Sequence, residues 1–194
     1  MRILLIDEDC LEDVVNKIEQ DYVVDVAYNG MDGIRMSQIN DYDAILVDYS
    51  LPDVRGADVC RITRACNTGV PIVVMSDKVT STNTILCLDS GADVCVRKPI
   101  NHMELMANIR AMLRRKFGSC FSDRIYTGLL TLDLRAKETY LMGKKINLRR
   151  REYDVLEYLV LNKGRVVSKE EILEHVWGAG IYMLSNTVEV HIKN

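Results

Sequence analysis

The fold is decided by residues 44–52, which read AILVDYSLP. Here a short apolar run ends at Asp48. Three other short apolar runs also end at polar side chains: residues 3–6 before Asp7, residues 72–75 before Ser76, and residues 94–96 before Arg97 and Lys98. Such runs, separated by helical patterns, are typical of a parallel sheet covered on both faces. Because such sheets bind ligands at the carboxyl ends of their strands, the sequence predicts that these polar groups share one site.

The first 117 residues alternate strand and helix signals. The predicted strands are Arg2–Ile6, Val23–Ala27, Asp43–Val47, Pro71–Met75 and Val94–Val96. Apolar residues recur at helical spacing between and after them, as Leu11, Val14, Val15 and Ile18; Ile34, Met36 and Ile39; Val59, Ile62 and Cys66; Ile85, Leu86 and Leu88; and Leu105, Met106, Ile109, Met112 and Leu113. Five such repeats predict a right-handed, doubly wound α/β fold with a five-stranded parallel sheet.

The pattern changes after residues 118–124, which have the composition of a linker. Residues 130–134 alternate with period two, and residues 139–148 continue with turn signals, which predicts a small antiparallel sheet. Three helices should follow. The first spans residues 152–162 and buries Tyr153, Leu156, Leu159 and Val160; the second begins with a capping box of Ser168 and Glu171; the third begins at Ser185 or Asn186. The predicted domains are therefore residues 1–117 and 125–194.

Composition narrows the class of protein. The 194 residues are 48% hydrophobic and 27% charged, and no apolar run approaches the ~18 residues of a membrane span. The N-terminus lacks the pattern of a secretory signal. Six cysteines without paired or metal-like spacing indicate free thiols in a reducing cytoplasm. Residues 1–117 carry 13 Lys and Arg against 18 Asp and Glu, whereas the remainder carries 12 against 10, which weakly suggests a polyanionic partner for the second half.

The strand ends predict a site for phosphoryl transfer. Asp7, Glu8 and Asp48 would converge there, and crowded carboxylates repel each other unless a cation joins them. Mg²⁺ suits a site with few carboxylates, waters and phosphate oxygens. Phosphoryl transfer needs an oxygen nucleophile, positive charge on the equatorial oxygens and a hydroxyl donor. Asp48, Lys98 and Ser76 supply these groups in that order.

Residues 1–117 resemble the receiver domain of two-component response regulators. The resemblance is carried by Asp7-Glu8, Asp48 with Leu51-Pro52 and Gly56, Ser76, Gly91-Ala92-Asp93, and Lys98-Pro99. It implies that a sensor histidine kinase phosphorylates Asp48, with Mg²⁺ held by Asp7, Glu8, Asp48 and the backbone carbonyl of Ser50. It also implies that Ser76 and Lys98 turn towards the phosphoryl group, and that the Lys98–Pro99 peptide bond is cis.

Three residues depart from the family pattern. Glu8 stands where Asp is usual, and its longer arm changes the reach to a geometrically strict ion. Cys95 stands in place of the aromatic switch side chain, which weakens the usual coupling to Ser76. Asp77 adds negative charge beside an anionic product. The alternative is therefore a receiver that folds but is phosphorylated poorly or not at all.

Residues 125–194 resemble the winged-helix output domain of the OmpR/PhoB class, which implies binding to double-stranded DNA. The matching stretches are Leu148 with Glu152-Tyr153, residues 166–173, residues 176–178 and residues 185–192. By family position the expected DNA-contacting residues are Trp177, Asn186, Thr187, Val190, His191, Lys193 and Asn194, with Val190 and Asn194 nearest to base edges. Val188 and Ile192 share the opposite face and should be buried. The family continues into a β-hairpin wing, so the sequence is expected to be a fragment or, alternatively, a regulator defective in DNA binding.

These features predict a cytoplasmic DNA-binding response regulator, not an enzyme, that dimerises through its receiver domain when Asp48 is phosphorylated. One alternative is a constitutive DNA-binding protein whose receiver is only a dimerisation scaffold. Another is a phosphatase with an aspartyl nucleophile, because residues 7–9 weakly match a DxD motif. Asp48 on the third strand and the Lys98-Pro99 pair argue against the phosphatase.

Overall fold

The computed structural model describes residues 1–9, 12–78, 80–116 and 124–178, together with Val188 and Ile192. The chain forms two compact units, the first spanning Arg2–Lys116 and the second drawn from the residues after it. Each unit has its own sheet, and each is described by itself below.

The first unit is a parallel sheet with helices between its strands. Its elements are β1 (Arg2–Ile6), α1 (Glu12–Ile18), β2 (Val23–Ala27), α2 (Gly30–Ile39), β3 (Ala44–Asp48), α3 (Gly56–Cys66), β4 (Ile72–Ser76), α4 (Ser81–Asp89), β5 (Val94–Arg97) and α5 (His102–Lys116). The strand order is β2-β1-β3-β4-β5, and every neighbouring pair is parallel. The predicted doubly wound fold is confirmed. Strands β3 and β4 include Asp48 and Ser76 because the ladder continues through the polar residue that ends each apolar run.

Three of the strands lie in the core along their whole length. All residues of β1, β3 and β4 are buried, so each strand reads as a continuous apolar run. The predicted stripe of α5 is also confirmed, since Leu105, Met106, Ile109, Met112 and Leu113 are at most 4% exposed.

The predicted apolar faces of three other helices were partly wrong. Ile39 of α2 is 74% exposed, Ile62 of α3 is 37% exposed, and Cys66 is exposed as well. The buried face of α3 is instead formed by Gly56, Ala57, Val59, Cys60 and Thr63. Most residues of this face are small or polar, so the spacing of large apolar side chains does not mark it. On α4 only Cys87 is buried, and the predicted Ile85, Leu86 and Leu88 are exposed.

The second unit pairs a small sheet with helices. Its elements are β6 (Arg124–Thr127), β7 (Leu130–Asp133), β8 (Glu138–Leu141), β9 (Lys144–Ile146), α6 (Arg150–Leu161) and α7 (Lys169–Trp177). The four strands form an antiparallel sheet in sequence order, as predicted. A separate apolar cluster joins α6 and α7 through Val155, Tyr158, Ile172, Leu173 and Val176.

The buried face of α6 differs from the prediction. Its buried residues are Tyr153, Asp154, Val155, Glu157 and Tyr158, whereas Leu156, Leu159 and Val160 are only partly buried. Two carboxylates enter this face because each has a cationic partner. Lys137 Nζ lies 3.0 and 2.9 Å from the two oxygens of Glu157, and Arg151 lies 3.5 Å from Asp154.

The start of α7 confirms one half of the predicted capping box. Ser168 Oγ accepts the backbone N–H of Glu171 at 3.1 Å. The Glu171 carboxylate, however, accepts from the Tyr158 hydroxyl at 2.7 Å and from the Arg165 guanidinium. A charged donor outweighs a backbone amide, so this side chain is drawn towards Arg165.

Of the predicted third helix, the structure describes Val188 and Ile192. Val188 is 3% exposed and packs with α6 and α7, as predicted, but Ile192 is 57% exposed, so that part of the prediction is wrong. The cluster formed by α6 and α7 reaches Val188 but does not include Ile192. The rest of that helix, and residues 118–123 of the predicted linker, lie outside the described residues. Among the described helices, none combines the length and the apolar character that a membrane crossing requires.

Candidate functional site

The carboxyl ends of three strands bring two carboxylates and one ammonium together. Asp7 directly follows β1, Asp48 ends β3, and Lys98 directly follows β5. Lys98 Nζ donates to Asp7 Oδ2 at 3.0 Å and to Asp48 Oδ2 at 2.8 Å. The predicted convergence of these three residues is thus observed. The Lys98–Pro99 peptide bond is cis, as expected.

This charged group is almost wholly removed from solvent. The exposed fractions of the side chains are 1% for Asp7, 9% for Asp48 and 10% for Lys98. Buried charges are tolerated when they are paired and hydrogen-bonded. Burial alone would lower the pKa of Lys98, but the hydrogen bonds and charges of Asp48 and Asp7 outweigh it and raise the pKa. Lys98 is therefore a cation between the two carboxylates at neutral pH.

Backbone amides hold the other oxygen of each carboxylate. Asp7 Oδ1 accepts the N–H of Asp9 at 3.0 Å, and Asp48 Oδ1 accepts the N–H of Ser50 at 3.2 Å. Each aspartate therefore has one oxygen on the main chain and one on Lys98. This double attachment fixes Asp48 in orientation at the edge of the sheet.

Ser76 lies on the neighbouring strand, at the end of β4. It is 6% exposed, and its Oγ accepts the backbone N–H of Lys78 at 3.2 Å. The ladder pairs Asp48 with Met75, so Ser76 is one residue beyond the partner of Asp48 on the adjacent strand. The predicted hydroxyl therefore belongs to the same sheet edge as the carboxylates.

The loop after Asp48 is packed against its own strand. A Cβ atom at Gly56 would lie 2.4 Å from the carbonyl oxygen of Asp48, and the N–H of Gly56 donates to Tyr49 O at 3.0 Å. Only glycine permits this close approach. The start of α3 is thereby held against the residue that the sequence identified as the nucleophile.

Asp53 holds the loop between β3 and α3 against the start of α2. This residue was not identified from the sequence. Its carboxylate accepts the N–H groups of Gly30 and Met31, both at 2.8 Å, and so caps α2. Burial alone would raise the pKa of Asp53, but the backbone donors Met31, Gly30 and Val54 together outweigh it and lower the pKa. The contact spans more than 20 residues, so no local pattern could reveal it.

The metal prediction rests on fewer carboxylates than the sequence suggested. Glu8 is exposed, and within the ranges that the structure describes no group of three or more His, Cys, Asp and Glu side chains is arranged to hold a metal ion. Mg²⁺ commonly uses one or two carboxylates with waters. Asp7 and Asp48 already share one cation, Lys98, so these two carboxylates are close enough together to act as the carboxylate ligands of one ion.

A cavity of about 700 Å³ opens beside Lys98. Its lining includes Asp9, Glu12 and Asp77 as well as Lys17 and Pro99. Asp77, one of the three departures noted in the sequence, therefore faces the approach to the site. Three carboxylates and two ammonium groups, those of Lys17 and Lys98, line this cavity, so its charged groups carry a net negative charge.

Cys95 lies on β5 and is partly buried beside the core that contains Cys60 and Cys87. Burial raises the pKa of the Cys95 thiol, and it raises those of Cys60 and Cys87 to about 12. These thiols are neutral near pH 7. Cys60, Cys66, Cys87 and Cys95 are free, as the sequence predicted for the cysteines that the structure describes.

Of the predicted DNA-contacting residues, the structure describes Trp177. This residue ends α7, and the guanidinium of Arg151 lies 5.7 Å from the centre of its ring. Arg151 also donates to the carbonyl of Val176, which anchors the end of α7 to α6. The remaining predicted contacts, Asn186, Thr187, Val190, His191, Lys193 and Asn194, lie outside the described residues.

Comparison with known proteins matches both halves of the chain. Residues 3–110 match the family model of the response regulator receiver domain, and residues 143–194 match that of the transcriptional regulatory protein C-terminal domain. Response regulator ArlR of Staphylococcus aureus is 36% identical over 174 residues, which are 90% of this chain and 78% of ArlR.

Two similar solved structures span both units. Response regulator DrrB, an OmpR/PhoB homologue from Thermotoga maritima, has 26% identity and a TM-score of 0.54 over 99% of this chain and 86% of its own. The second structure is described as belonging to a novel family of streptococcal redox sensors that evolved from two-component response regulators. It has 26% identity and a TM-score of 0.53, and the match covers 99% of this chain and 87% of that chain.

Proposed function

Because the chain belongs to the two-component response regulators that join a receiver domain to an OmpR/PhoB-type DNA-binding domain, we propose that phosphorylation of Asp48 controls its activity as a transcription regulator. Members of this class are transcription factors and not enzymes. We assign residues 1–117 to the receiver and residues 125–194 to the DNA-binding domain, with residues 118–124 as the linker.

The observation that carries the proposal is the contact of Lys98 with both Asp7 and Asp48. In the proposed reaction an Asp48 oxygen attacks the phosphorus of a phosphohistidine on a sensor kinase. The nitrogen–phosphorus bond breaks, and the histidine leaves with the electron pair. The ammonium of Lys98 then pairs with a phosphoryl oxygen, and the Ser76 hydroxyl donates to another.

Asp7, Asp48 and the Ser50 carbonyl would hold Mg²⁺, with Glu8 contributing from the surface. When bound, this ion supplies positive charge that offsets the phosphoryl oxygens. The residues of the chain have a separate task. The amides of Asp9 and Ser50 keep the two carboxylates in position, and Gly56 allows the following loop to pack against Asp48.

The receiver is proposed to form a homodimer through α4, β5 and α5. The support is the exposed apolar face of α4, where Ile85, Leu86 and Leu88 are 58%, 42% and 44% exposed. A dimer would place two DNA-binding domains on repeated half-sites of double-stranded DNA. In the proposed interface Asn186, Thr187, His191 and Lys193 contact phosphates and Val190 and Asn194 reach base edges. The cell compartment proposed for these steps is the cytoplasm.

A phosphorylation-independent regulator is the second candidate, with the receiver as a dimerisation scaffold. Exposed Glu8 favours it, because a side chain in solvent is less well placed to hold Mg²⁺ beside Asp7 and Asp48. Asp77 in the cavity lining favours it as well, because its negative charge repels a phosphoryl group.

One comparison separates the two candidates. The full chain is incubated with acetyl phosphate and Mg²⁺, and its dimer fraction and its affinity for a random-sequence duplex library are measured with and without the phosphoryl donor. The first candidate predicts that both rise in wild type and stay constant in Asp48→Asn. The second predicts that wild type and Asp48→Asn have the same dimer fraction and the same affinity, with and without acetyl phosphate.

A further inference from the structure

Asn83, in the first turn of α4, makes polar contacts with three residues from two segments of the chain. Its Oδ1 accepts from the Tyr49 hydroxyl at 3.3 Å, and its Nδ2 donates to the Lys78 carbonyl at 3.2 Å. Its backbone N–H donates to Thr80 Oγ1, the N-terminal cap of the helix, at 3.2 Å. Tyr49 directly follows Asp48, so Asn83 connects the phosphoacceptor strand with the start of α4.

The Lys78 backbone carries this connection to Ser76. The N–H of Lys78 donates to Ser76 Oγ at 3.2 Å, while its carbonyl accepts from Asn83 Nδ2 and from the N–H of Thr80 at 3.0 Å. The resulting hydrogen-bond chain runs from Tyr49 through Asn83 and Lys78 to Ser76. It therefore joins the residue that follows Asp48 to Ser76.

Phosphorylation would disturb this hydrogen-bond chain at Ser76. Ser76 holds the Lys78 N–H in the observed state, but movement of the Ser76 side chain towards a phosphoryl group on Asp48 would withdraw that acceptor. Lys78 would then have to reorient, and its carbonyl is the group that Asn83 holds. A change at Ser76 would thus reach the first turn of α4, whose exposed apolar residues Ile85, Leu86 and Leu88 lie a few residues further on.

Cys95 is poorly suited to link the phosphoacceptor site to α4. Cys95 is small, its thiol is neutral, and it packs with Tyr49 against the same apolar core. Tyr49, in contrast, reaches Asn83 with a hydroxyl group. The polar link between the site and α4 therefore starts from the strand of Asp48, not from β5.

We propose that Asn83, held by Tyr49, is a positioning residue that couples the orientation of Ser76 to the start of α4. The proposal rests on the proposed function, in which Asp48 is phosphorylated. It also makes a claim about the unphosphorylated protein, namely that Asn83 keeps the Lys78 N–H on Ser76. Because of this second claim, the role of Asn83 can be tested independently of the phosphorylation of Asp48.

The experiment measures amide hydrogen exchange of the full chain by NMR, for wild type, Asn83→Ala, Tyr49→Phe and the control Thr82→Ala. Thr82 is an exposed neighbour of Asn83 in the same helical turn. In the unphosphorylated protein, the Lys78 amide should exchange about threefold faster in Asn83→Ala, the order expected for one lost hydrogen bond. It should exchange at the wild-type rate in Thr82→Ala. An unchanged rate in Asn83→Ala would overturn the proposal whether or not Asp48 is phosphorylated.

The second arm adds acetyl phosphate and Mg²⁺, with intact mass reporting the phosphorylated fraction of each variant. Asn83→Ala and Tyr49→Phe should accept the phosphoryl group as wild type does. In wild type, phosphorylation should change the amide exchange rates of residues 81–85. In both variants this change should be about half the wild-type change or less, since one of the linking hydrogen bonds is lost. A full wild-type difference in both variants contradicts the proposal. Absence of any phosphorylated wild type contradicts the proposed function instead and leaves the first arm to decide on Asn83.

Discussion

The Nζ atom of Lys98 lies 2.8 Å from Oδ2 of Asp48, although 50 residues separate them in the chain. The same nitrogen lies 3.0 Å from Asp7. One cation therefore bridges two buried carboxylates, and the stability of the receiver should depend on it.

Lys98→Met removes that cation and keeps most of the side-chain volume. Two buried carboxylates then lack their charged partner, or one must take up a proton, which should lower the free energy of unfolding by about 3 kcal/mol. Urea unfolding followed by circular dichroism measures the change. Lys17→Met, at an exposed position of α1, is the matched control. Equal unfolding midpoints for the two variants would contradict a stabilising role of Lys98.

Gly56→Ala tests the packing of the loop after the phosphoacceptor. The added Cβ would meet the Asp48 carbonyl oxygen at 2.4 Å and Tyr49 Cα at 2.8 Å, and backbone atoms cannot rotate away. We expect a loss of about 2 kcal/mol in unfolding free energy, as for other overpacked sites, together with slower phosphorylation.

Gly69→Ala provides the comparison for this substitution. The nearest heavy atom to a Cβ at Gly69 is 3.9 Å away, so the same chemical change has room there. The account requires Gly69→Ala to resemble wild type in both measurements. It is contradicted if Gly56→Ala also unfolds and reacts as wild type does.

Glu8→Asp tests the departure from the usual acidic pair. A shorter carboxylate suits the strict octahedral geometry of Mg²⁺ beside Asp7 and Asp48. Isothermal titration calorimetry should show Mg²⁺ binding several-fold tighter than in wild type. Glu12→Asp makes the same change at the rim of the neighbouring cavity and should leave the affinity unaltered. If Glu8→Asp also has the wild-type affinity, residue 8 takes no part in holding the ion.

Glu171 gives the second unit a defined dependence on pH. Hydrogen bonds from Arg165, and secondarily from Tyr158, lower the pKa of Glu171 to about 2, against about 4.3 in an unfolded chain. A carboxyl with a lowered folded-state pKa contributes stability above its unfolded pKa and loses it as the pH falls towards the folded pKa. Its contribution is therefore complete above about pH 5 and fades between about pH 4.3 and pH 2.

The variant Glu171→Gln should be less stable than wild type at pH 7, and the difference should shrink as the pH falls through that window. Trp177, the single tryptophan of the chain, lies at the end of α7 and reports unfolding by fluorescence. Glu170→Gln alters an exposed carboxylate in the same helical turn and is the control. A difference between Glu171→Gln and wild type that stays constant from pH 7 to pH 3 would exclude this role for the carboxylate.

The sequence predicted the sheet of the first unit well for a simple physical reason. Strands buried on both faces must be apolar throughout, so β1, β3 and β4 appeared as runs that end at Asp7, Asp48 and Ser76. Convergence of these ends followed from the topology of parallel sheets. The cis bond at Lys98–Pro99 followed from the family resemblance.

Other features could not be predicted because they depend on tertiary contacts. The buried face of α3 uses Gly56, Ala57 and Thr63, which carry little hydrophobic signal. The cap that Asp53 provides for α2 joins segments more than 20 residues apart. Glu157 is buried on α6 only because Lys137 reaches it from the turn between β7 and β8.

The most direct test of the account is the intact mass of the full chain after incubation with acetyl phosphate and Mg²⁺. Wild type should gain the mass of one phosphoryl group, and Asp48→Asn should gain none, while Asp53→Asn, which alters a carboxylate in the adjoining loop, should still gain one. Wild type without added mass, or Asp48→Asn with the same gain as wild type, would contradict the assignment of Asp48 as the phosphoacceptor.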